Sequence, residues 1–319
     1  MEKILVTGGC GYVGTLLVER LLGLGYRVHV IDTQWFGNYL GAHPRLKVDK
    51  KDTREIVPND LIDVGKIIHL ANIANDPAVD LDQTLSWEVN VLATQQLMDK
   101  AGRAGTVNQF IFASSGSVYG LKDEEHVTED LSLVPISAYN KTKMVAERVL
   151  LSYSDNMKIH NIRPATVCGL SPRMRLDVAV NLLSYQAVSK GKITVLGGEQ
   201  TRPNIHINDM VGVYEHFLKN SEKIDSGNYN AGFENVSILK IAELIQSKID
   251  CEIEIKPSND PRSYRQNSDK LTATGFTPKH TISNAIDDII KAHKNGVLTD
   301  SDNFHTIKTM KKILEKANG

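Results

Sequence analysis

A glycine-rich segment near the start of the chain constrains the fold more than any other feature. Residues 7–14 read Thr-Gly-Gly-Cys-Gly-Tyr-Val-Gly, and they join a short apolar run to a helical pattern over Tyr12–Leu24. Gly8 permits a tight turn, Gly11 lets the backbone approach a pyrophosphate, and Gly14 lets the helix lie close to the strand. Free N–H groups at a helix start favour an anion there. This strand, loop and helix predict a dinucleotide-binding site.

An acidic residue follows at the distance that such a site needs. The next apolar run, Val28–Ile31, ends at Asp32, which lies 18 residues after Gly14. A carboxylate at that position can accept hydrogen bonds from the ribose hydroxyls of adenosine. Thr33 and Gln34 follow, where a basic residue would be needed to hold a 2′-phosphate. The sequence therefore favours NAD over NADP as cofactor.

Short apolar runs alternate with helical patterns along the first half of the chain. The runs are bounded by turn residues and lie at Ile4–Val6, Val28–Ile31, Ile67–Leu70, Phe110–Ala113 and, more weakly, His160–Ile162. This alternation indicates βαβ units and a parallel sheet, and the right-handed crossover rule favours a doubly wound sheet of the Rossmann type. We predict an α/β fold with this sheet in residues 1–165 and a smaller α/β substrate domain in residues 166–319. Parts of about 203–233 are expected to return to the first unit.

Composition excludes several classes of function. The 319 residues carry 37 Lys and Arg against 38 Asp and Glu, so a partner bound mainly through a nucleic-acid backbone is not expected. Cys10, Cys168 and Cys251 are far apart and lack C-x-x-C spacing, which argues against a disulfide framework and a thiolate zinc site. No run of apolar residues is long enough to span a membrane or to act as a secretory signal. We expect a cytoplasmic protein with no metal, nucleic-acid or membrane partner.

Two segments carry reactive side chains. Ser114–Gly120 follows the apolar run Phe110–Ala113, so its hydroxyls emerge at the carboxyl end of a strand, where doubly wound sheets place ligands. Tyr139 and Lys143 share one face of a predicted helix. A lysine cation near a phenol stabilises the phenolate, so Tyr139 can take a proton from a sugar hydroxyl while Ser115 hydrogen-bonds the same oxygen. The Tyr-x-x-x-Lys spacing alone also fits an amphipathic helix with an exposed lysine.

Together these motifs resemble the extended short-chain dehydrogenase/reductase family, in its branch of NAD-dependent nucleotide-sugar epimerases and dehydratases of the UDP-glucose 4-epimerase type. The resemblance covers nearly the whole chain and includes His69-Leu70-Ala71 and Asn90-Val91 besides the motifs above. It implies catalysis by Ser115, Tyr139 and Lys143, and a homodimer formed through helices near residues 90–102 and 139–152. NAD contacts are expected at Gly8, Gly11, Tyr12, Val13, Asp32, Asp49, Lys50, Leu70, Ala71, Asn90, Tyr139 and Lys143.

Three of these expected NAD contacts, Asn90, Asp49 and Lys50, have weaker support from the sequence than the others. Asn90 resembles a helix asparagine of the family whose role is mainly structural. Asp49, Lys50 and Asp52 belong to a charged segment that either faces the adenine or forms a solvated loop.

The resemblance also implies that the second half of the chain holds a nucleotide-diphosphate sugar. Contacts with it are expected at Ser115, Thr166, Asn181, Leu182, Arg202 and Arg262. Arg202 stands where the family places an arginine on the phosphates, and a guanidinium fork suits that task. Arg173 and Arg175 add two cations near the expected cleft, although an ordinary surface charge is equally expected for each. Thr166 replaces an asparagine of the galactose epimerases, which leaves the nucleotide base open.

Departures from related motifs narrow the reaction. The 4,6-dehydratases carry an Asp-Glu pair after the catalytic serine or threonine, because elimination of water needs a general acid and base. This chain has Gly116 and Ser117 there, so it also lacks the glutamate of the decarboxylating branch. The sequence favours a 4-epimerase that acts through a transient 4-keto sugar. A C4 dehydrogenase or ketoreductase would use the same residues and stays open, whereas a silent NAD-binding regulator is expected to lack the Tyr139 and Lys143 pair.

Overall fold

The computed structural model describes residues 1–258 and 263–318. In chain order its strands are β1 Lys3–Thr7, β2 Arg27–Asp32, β3 Leu46–Lys50, β4 Val64–His69, β5 Gln109–Ala113, β6 Lys158–Pro164, β7 Thr166–Cys168, β8 Lys192–Leu196, β9 Thr201–His206, β10 Gly227–Ala231, β11 Glu234–Ser237 and β12 Glu252–Lys256. Its α-helices are α1 Tyr12–Gly23, α2 Asp76–Val79, α3 Gln83–Trp87, α4 Ala93–Ala104, α5 Ala138–Leu151, α6 Ala179–Lys190, α7 Ile207–Lys219, α8 Ile238–Gln246, α9 Asp269–Ala273, α10 Ile282–Lys294 and α11 Thr306–Asn318. Short 3₁₀ turns lie at Thr53–Glu55, Pro58–Leu61, Gly116–Tyr119 and Asp302–Phe304, and a π-helical turn at Glu88–Leu92.

A seven-stranded sheet organises the first part of the chain. Its order is β10-β6-β5-β4-β1-β2-β3, and every neighbouring pair is parallel. The chain leaves β1 toward β2 and β3 on one side and continues from β4 on the other side, so the strand order reverses between β1 and β4. Ligands of doubly wound sheets bind at the carboxyl ends of the strands beside such a reversal.

Helices cover both faces of this sheet. Side chains of a strand alternate between its faces, so Ile4 and Val6 of β1 pack with α1 and α7, while Leu5 packs with α4 and α5. The buried helix residues include Leu17 and Leu21 on the first face, and Leu97, Ala101, Ala146 and Leu150 on the second. The predicted doubly wound α/β fold is confirmed.

The helix expected near residues 90–102 is not one regular α-helix. The π-helical turn separates α3 from α4, and it carries Asn90, whose side chain accepts from the N–H of Ile73 at 2.9 Å and donates to the carbonyl of Ile73 at 3.2 Å. An extra residue in one turn changes the direction in which the following side chains point, and such turns are frequent at functional sites. Here the turn fastens the loop after β4 to the helices beside it.

The rest of the chain forms two small sheets, with orders β11-β9-β7 and β12-β8. Apolar residues of α6, α8 and α10 share a separate core with β8. Within 203–233, β10 joins the edge of the large sheet and α7 packs on its core. The division of the chain into two domains near residue 165 stays a prediction. Every helix within the described ranges is too short or too polar to cross a membrane.

Candidate active site

A cavity of about 610 Å³ lies at the carboxyl ends of β1, β4 and β5. Its volume falls in the range that small-molecule sites use. Twelve of the residues that the sequence predicts to contact NAD or the nucleotide sugar share its wall, and they come from both halves of the chain. They are Gly8, Gly11, Tyr12, Val13, Asp32, Leu70, Ala71, Ser115, Tyr139, Lys143, Thr166 and Arg202.

The glycine-rich loop lies directly against the loop after β4. Gly8 has a φ of +73°, and a Cβ atom there would lie 2.6 Å from the amide nitrogen of Ala71. A Cβ on Gly14 would lie 2.4 Å from the carbonyl oxygen of Gly8. Both distances are shorter than any van der Waals contact, so only glycine allows this approach. The loop therefore exposes bare backbone to the cavity at the start of α1, where an anion is favoured.

Asp32 is held beside that loop by main-chain donors. Its carboxylate oxygens accept from the N–H of Cys10 at 2.9 Å and from the N–H of Gln34 at 2.7 Å. Burial raises the pKa of Asp32, and these two hydrogen bonds together with the charge of Arg173 oppose that rise. The carboxylate is thus fixed at the cavity wall and available to accept from hydroxyl groups of a ligand.

Helix α5 presents Tyr139 and Lys143 to the cavity. The helix begins at a Ser137 cap, whose hydroxyl accepts from the N–H of Asn140 at 3.1 Å. Lys143 Nζ donates to the carbonyl of Ala113 at 2.5 Å. Burial lowers the pKa of Lys143 to about 7, and the carboxylate of Glu147 opposes this effect.

The phenol of Tyr139 is not acidified by its protein neighbours. Burial raises the pKa of Tyr139 to about 12, outweighing a hydrogen bond with Ser115 and the charge of Arg175, which both lower it. We expected Lys143 to lower this pKa, but burial disfavours the charged form of the lysine as well. Protein groups alone therefore favour a neutral phenol.

The serine loop after β5 is closed by hydrogen bonds. Ser115 Oγ lies 2.7 Å from Ser117 Oγ, and Ser117 donates to the side-chain oxygen of Asn140 at 2.5 Å. A Cβ on Gly116 would lie 3.0 Å from the side-chain nitrogen of Gln266. That amide donates to the carbonyl of Arg163 at 2.6 Å, so it is fixed in place. A neutral amide therefore fills the space that a side chain at position 116 would need.

A buried ion pair supports this loop, and our sequence reasoning missed it. Arg163 and Glu147 have side chains 1% exposed, and Arg163 Nη2 donates to Glu147 at 2.7 Å. Glu147 also accepts from Ser114 Oγ at 2.5 Å, and Arg163 donates to the hydroxyl of Tyr119 at 2.6 Å. The available signal was the spacing of Glu147, which lies four residues after Lys143 on the same helix face. The pair fixes the residue next to Ser115.

The charged segment of β3 does not meet the cavity where we expected. Asp49 accepts from His29 Nε2 at 2.7 Å and from Lys47 at 2.6 Å, and neither Asp49 nor Lys50 belongs to the wall. The pairing of β2 with β3 turns Asp49 toward the imidazole of the neighbouring strand. Asp52, which the sequence also singled out, lines the cavity just beyond the strand, together with Lys51 and Thr53.

Three other predicted contacts lie behind the wall. Asn90 binds Ile73, as described above, and also donates to Thr142 at 3.2 Å. Asn181 and Leu182 lie inside α6, while the N-cap residue Val178 and the first residue Ala179 line the wall, because the helix axis carries later residues away. Arg262 lies outside the described residues. Asn90 and Asn181 thus position the wall instead of forming it.

The substrate half of the cavity contains cations and aromatic groups. Arg202 lines the wall, and its guanidinium carbon lies 5.3 Å from the centre of the Tyr264 ring. Arg175 donates to Asp177 at 2.9 Å, which leaves that pair electrically neutral. Sequence reasoning did not assign several other wall residues, which are Trp35, Phe36, Asp177, Tyr214, Tyr264, Thr306, Ile307 and Met310.

Comparison with known proteins agrees with this geometry. The model of the NAD dependent epimerase/dehydratase family matches residues 4–232. UDP-glucose 4-epimerase of Lactobacillus helveticus is 28% identical over 333 residues, which cover 92% of this chain and 98% of that protein. UDP-glucuronic acid decarboxylase 1 of Arabidopsis thaliana is 29% identical over 321 residues, which cover 94% of this chain and 72% of that protein.

A solved structure extends the similarity to three dimensions. The crystal structure of a UDP-glucuronic acid 4-epimerase from Bacillus cereus in complex with UDP-glucuronic acid and NAD superposes with a TM-score of 0.80 at 26% identity. The match covers 92% of this chain and 99% of that chain. The relatives named here include both epimerases and a decarboxylase.

Proposed function

This chain belongs to the NAD-dependent epimerase/dehydratase family, and from that premise we propose that it is an NAD-dependent 4-epimerase of a nucleotide-diphosphate sugar. The enzymes of this family act on nucleotide sugars with NAD and include epimerases, decarboxylases and dehydratases. One observation carries the choice among them. Ser115, Tyr139 and Lys143 meet in one cavity, and the next residue after the serine is Gly116, where a side chain would meet the neutral amide of Gln266.

The cavity residues fit NAD. Gly8 and Gly14 leave the backbone bare at the start of α1, as the close approach of a pyrophosphate requires. Asp32 is oriented to accept from ribose hydroxyls. The chemistry that bound NAD supplies is reversible oxidation at C4 of the sugar.

Tyr139 then handles the proton of the reaction. Its phenolate oxygen takes the proton from the C4 hydroxyl and returns it to the C4 oxygen once the keto sugar has turned its opposite face to the cofactor side, while the hydroxyl of Ser115 hydrogen-bonds the same sugar oxygen. Lys143 stabilises the phenolate in its ammonium form. Burial disfavours the charged form of each side chain on its own. Because the phenolate and the ammonium carry opposite charges, each stabilises the charged form of the other.

The residues beside Ser115 argue against elimination and decarboxylation. Loss of water from the sugar needs a carboxyl group near the reacting carbon. Asp32, Asp52 and Asp177 are the acidic residues of the cavity wall among the described residues, and none of them lies on the serine loop. Asp32 is held by main-chain donors and Asp177 by Arg175.

A test with candidate sugars separates the two reactions that use this site. The protein is incubated with NAD and UDP-, GDP-, CDP- and dTDP-linked sugars, and products are separated while the absorbance of NADH is followed. Exchange between C4 isomers without net NADH supports the 4-epimerase. Net accumulation of NADH with release of a keto sugar supports the C4 dehydrogenase alternative and contradicts our proposal.

Tyr139→Phe gives the matching variant test. We expect it to lower turnover by about 100-fold or more, because positioned acid–base groups contribute roughly 10²–10⁴. Tyr153→Phe serves as the control. Tyr153 is a partly buried residue that packs against the core formed by the sheet, α4 and α5, and it does not line the cavity. Unchanged turnover in Tyr139→Phe would return the silent regulator to consideration.

We also propose that Arg202 holds the diphosphate of the substrate. A thermal-shift screen over UDP, GDP, CDP and dTDP identifies the base, because a ligand at 100-fold its Kd adds roughly 2.7 kcal/mol of stability. Arg202→Ala should weaken binding of the best nucleotide, and unchanged binding contradicts this assignment.

The homodimer expected from the helices near 90–102 and 139–152 is part of the proposal as well. Leu92 lies in the first of these two segments and is 51% exposed, so an apolar side chain is available there for contact with a second copy. The mass of the protein in solution tests it.

A further inference from the structure

A second arginine reaches the cofactor end of the cavity from the other half of the chain. Arg173 lines the cavity and is only 3% exposed. Its Nε atom has no hydrogen-bond partner among the described residues, and its guanidinium carbon lies 4.2 Å from the centre of the Phe36 ring. A buried cation without a hydrogen-bonded anion is unfavourable, so this side chain requires a negatively charged partner.

The segment that carries Arg173 is fastened to the start of α1. The carbonyl of Tyr12 accepts from Ser171 Oγ at 2.8 Å, and the hydroxyl of Tyr12 donates to the carbonyl of Gly169 at 2.6 Å. Asn181 accepts from the N–H of Gly169 at 2.9 Å and donates to the hydroxyl of Tyr12 at 3.0 Å. These bonds fasten the segment that carries Arg173 to Tyr12, and Arg173 lines the same cavity as the glycine-rich loop.

We propose that Arg173 binds the pyrophosphate of the dinucleotide together with the glycine-rich loop. The loop offers only N–H groups and the helix dipole to two phosphate charges. A planar guanidinium adds a full charge and two parallel donors. This inference rests on the proposed use of NAD and assigns a cofactor contact contributed by the second half of the chain.

The other charged groups around Arg173 support this choice of anion. Arg175 and Asp177 neutralise each other, so they do not satisfy Arg173. Asp32 faces Arg173, and each charge favours the ionised form of the other. Burial nevertheless lowers the pKa of Arg173 to about 10. A 2′-phosphate on the ribose would meet the carboxylate of Asp32, whereas the pyrophosphate lies closer to Tyr12 and the glycine-rich loop.

Binding of ADP-ribose tests the inference without any turnover. Calorimetric titration compares the wild type, Arg173→Gln and the control Arg45→Gln. Arg45 also has a buried Nε without a partner, but it lies outside the cavity and donates to Leu22. We expect Arg173→Gln to weaken ADP-ribose about 10- to 100-fold, which is ~1.4–2.8 kcal/mol, and Arg45→Gln to leave the Kd unchanged.

Thermal unfolding separates ligand binding from a purely structural role. Removal of an unpaired buried cation should keep or raise the Tm of the protein without ADP-ribose, and should shrink the rise in Tm that ADP-ribose causes. A lower Tm without ligand, together with an undiminished rise, overturns the inference.

Two further titrations identify the phosphate. Adenosine 2′-phosphate and UDP represent the other phosphate groups that this cavity could receive. If Arg173→Gln weakens either of them and leaves ADP-ribose unchanged, the pyrophosphate assignment is wrong. If the wild type does not bind ADP-ribose, both the proposed use of NAD and this inference are wrong. If the wild type binds ADP-ribose and Arg173→Gln binds it equally well, only this inference is wrong.

Discussion

The ammonium nitrogen of Lys143 lies 5.9 Å from the centre of the Tyr139 ring, one helical turn away along α5. The lysine donates to the carbonyl of Ala113 and lies 4.6 Å from the centre of the Phe112 ring. Apolar surroundings therefore act on both groups, with a pKa of about 7 for Lys143 and about 12 for Tyr139. A charged Lys143 in this position lowers the free energy of unfolding, and this effect can be measured through its pH dependence.

The first prediction concerns the pH dependence of stability. An unfolded lysine has a pKa near 10.4, so between pH 7 and pH 10 the unfolded chain binds more protons than the native one. The free energy of unfolding contributed by Lys143 therefore rises with pH, by at most ~1.4 kcal/mol per pH unit. Lys143→Met should flatten this rise in urea titrations at several pH values. Lys141→Met, at an exposed position of the same helix, should keep the wild-type slope. Equal slopes in all three proteins contradict the prediction.

The second prediction concerns the buried ion pair. Glu147→Gln leaves the Arg163 guanidinium without its anion in a position 1% exposed, so we expect a loss of about 3–5 kcal/mol in the free energy of unfolding. Glu215→Gln is the control, because its partner Arg20 is 54% exposed and such pairs contribute about 1 kcal/mol or less. Replacing both Glu147 and Arg163 by methionine should recover part of the loss. Similar losses in the two glutamine variants count against this account.

The third prediction compares two glycines of α1. A Cβ on Gly14 would lie 2.4 Å from the carbonyl of Gly8, so Gly14→Ala must push the helix away from the loop. We expect it to cost about 1–3 kcal/mol of stability and to weaken ADP-ribose. Gly23→Ala meets nothing within 4 Å and should gain up to about 1 kcal/mol. Chemical denaturation and titration of both variants check this, and full ADP-ribose affinity in Gly14→Ala disagrees with the loop geometry.

The fourth prediction ranks two hydroxyls of the serine loop. Ser115→Ala removes the donor to the reacting oxygen, so turnover should fall by roughly 10²–10³. Ser117→Ala removes only a group that bonds Ser115 and Asn140, so its loss should be smaller. Turnover of a nucleotide sugar by each variant is the measurement, and the reverse order contradicts the role given to Ser115.

Local patterns predicted the central strands and helix α5 correctly. Strand β1 is predictable from its short run of apolar residues, and helix α5 from the interval between Tyr139 and Lys143. Each of these signals lies within a single element. Strand β10 reads Gly-Asn-Tyr-Asn-Ala, and only its pairing with β6 makes it a strand. The apolar pattern of its sequence is too weak to reveal it.

The missed parts of the site depend on contacts between distant segments. Asp49 points toward His29 because of how β2 and β3 pair, and no local pattern contains that register. The sequence offered Arg173 only as one of several cations near the expected cleft. Its position depends on the hydrogen bond between Ser171 and Tyr12, which are far apart in the chain. Contacts between residues that are distant in the sequence can therefore be identified only from the tertiary structure.

The C-terminal helix α11 supplies Thr306, Ile307 and Met310 to the cavity wall, and it lies beyond the residues 4–232 that the family model matches. Met310 packs there with Ile73 and Trp35. Evolution can thus reshape this wall, and with it the choice of ligand, through changes in a single terminal helix. Tyr139 packs against the same apolar cluster as Met310, so a substitution in α11 would alter the cavity wall and the surroundings of that phenol together.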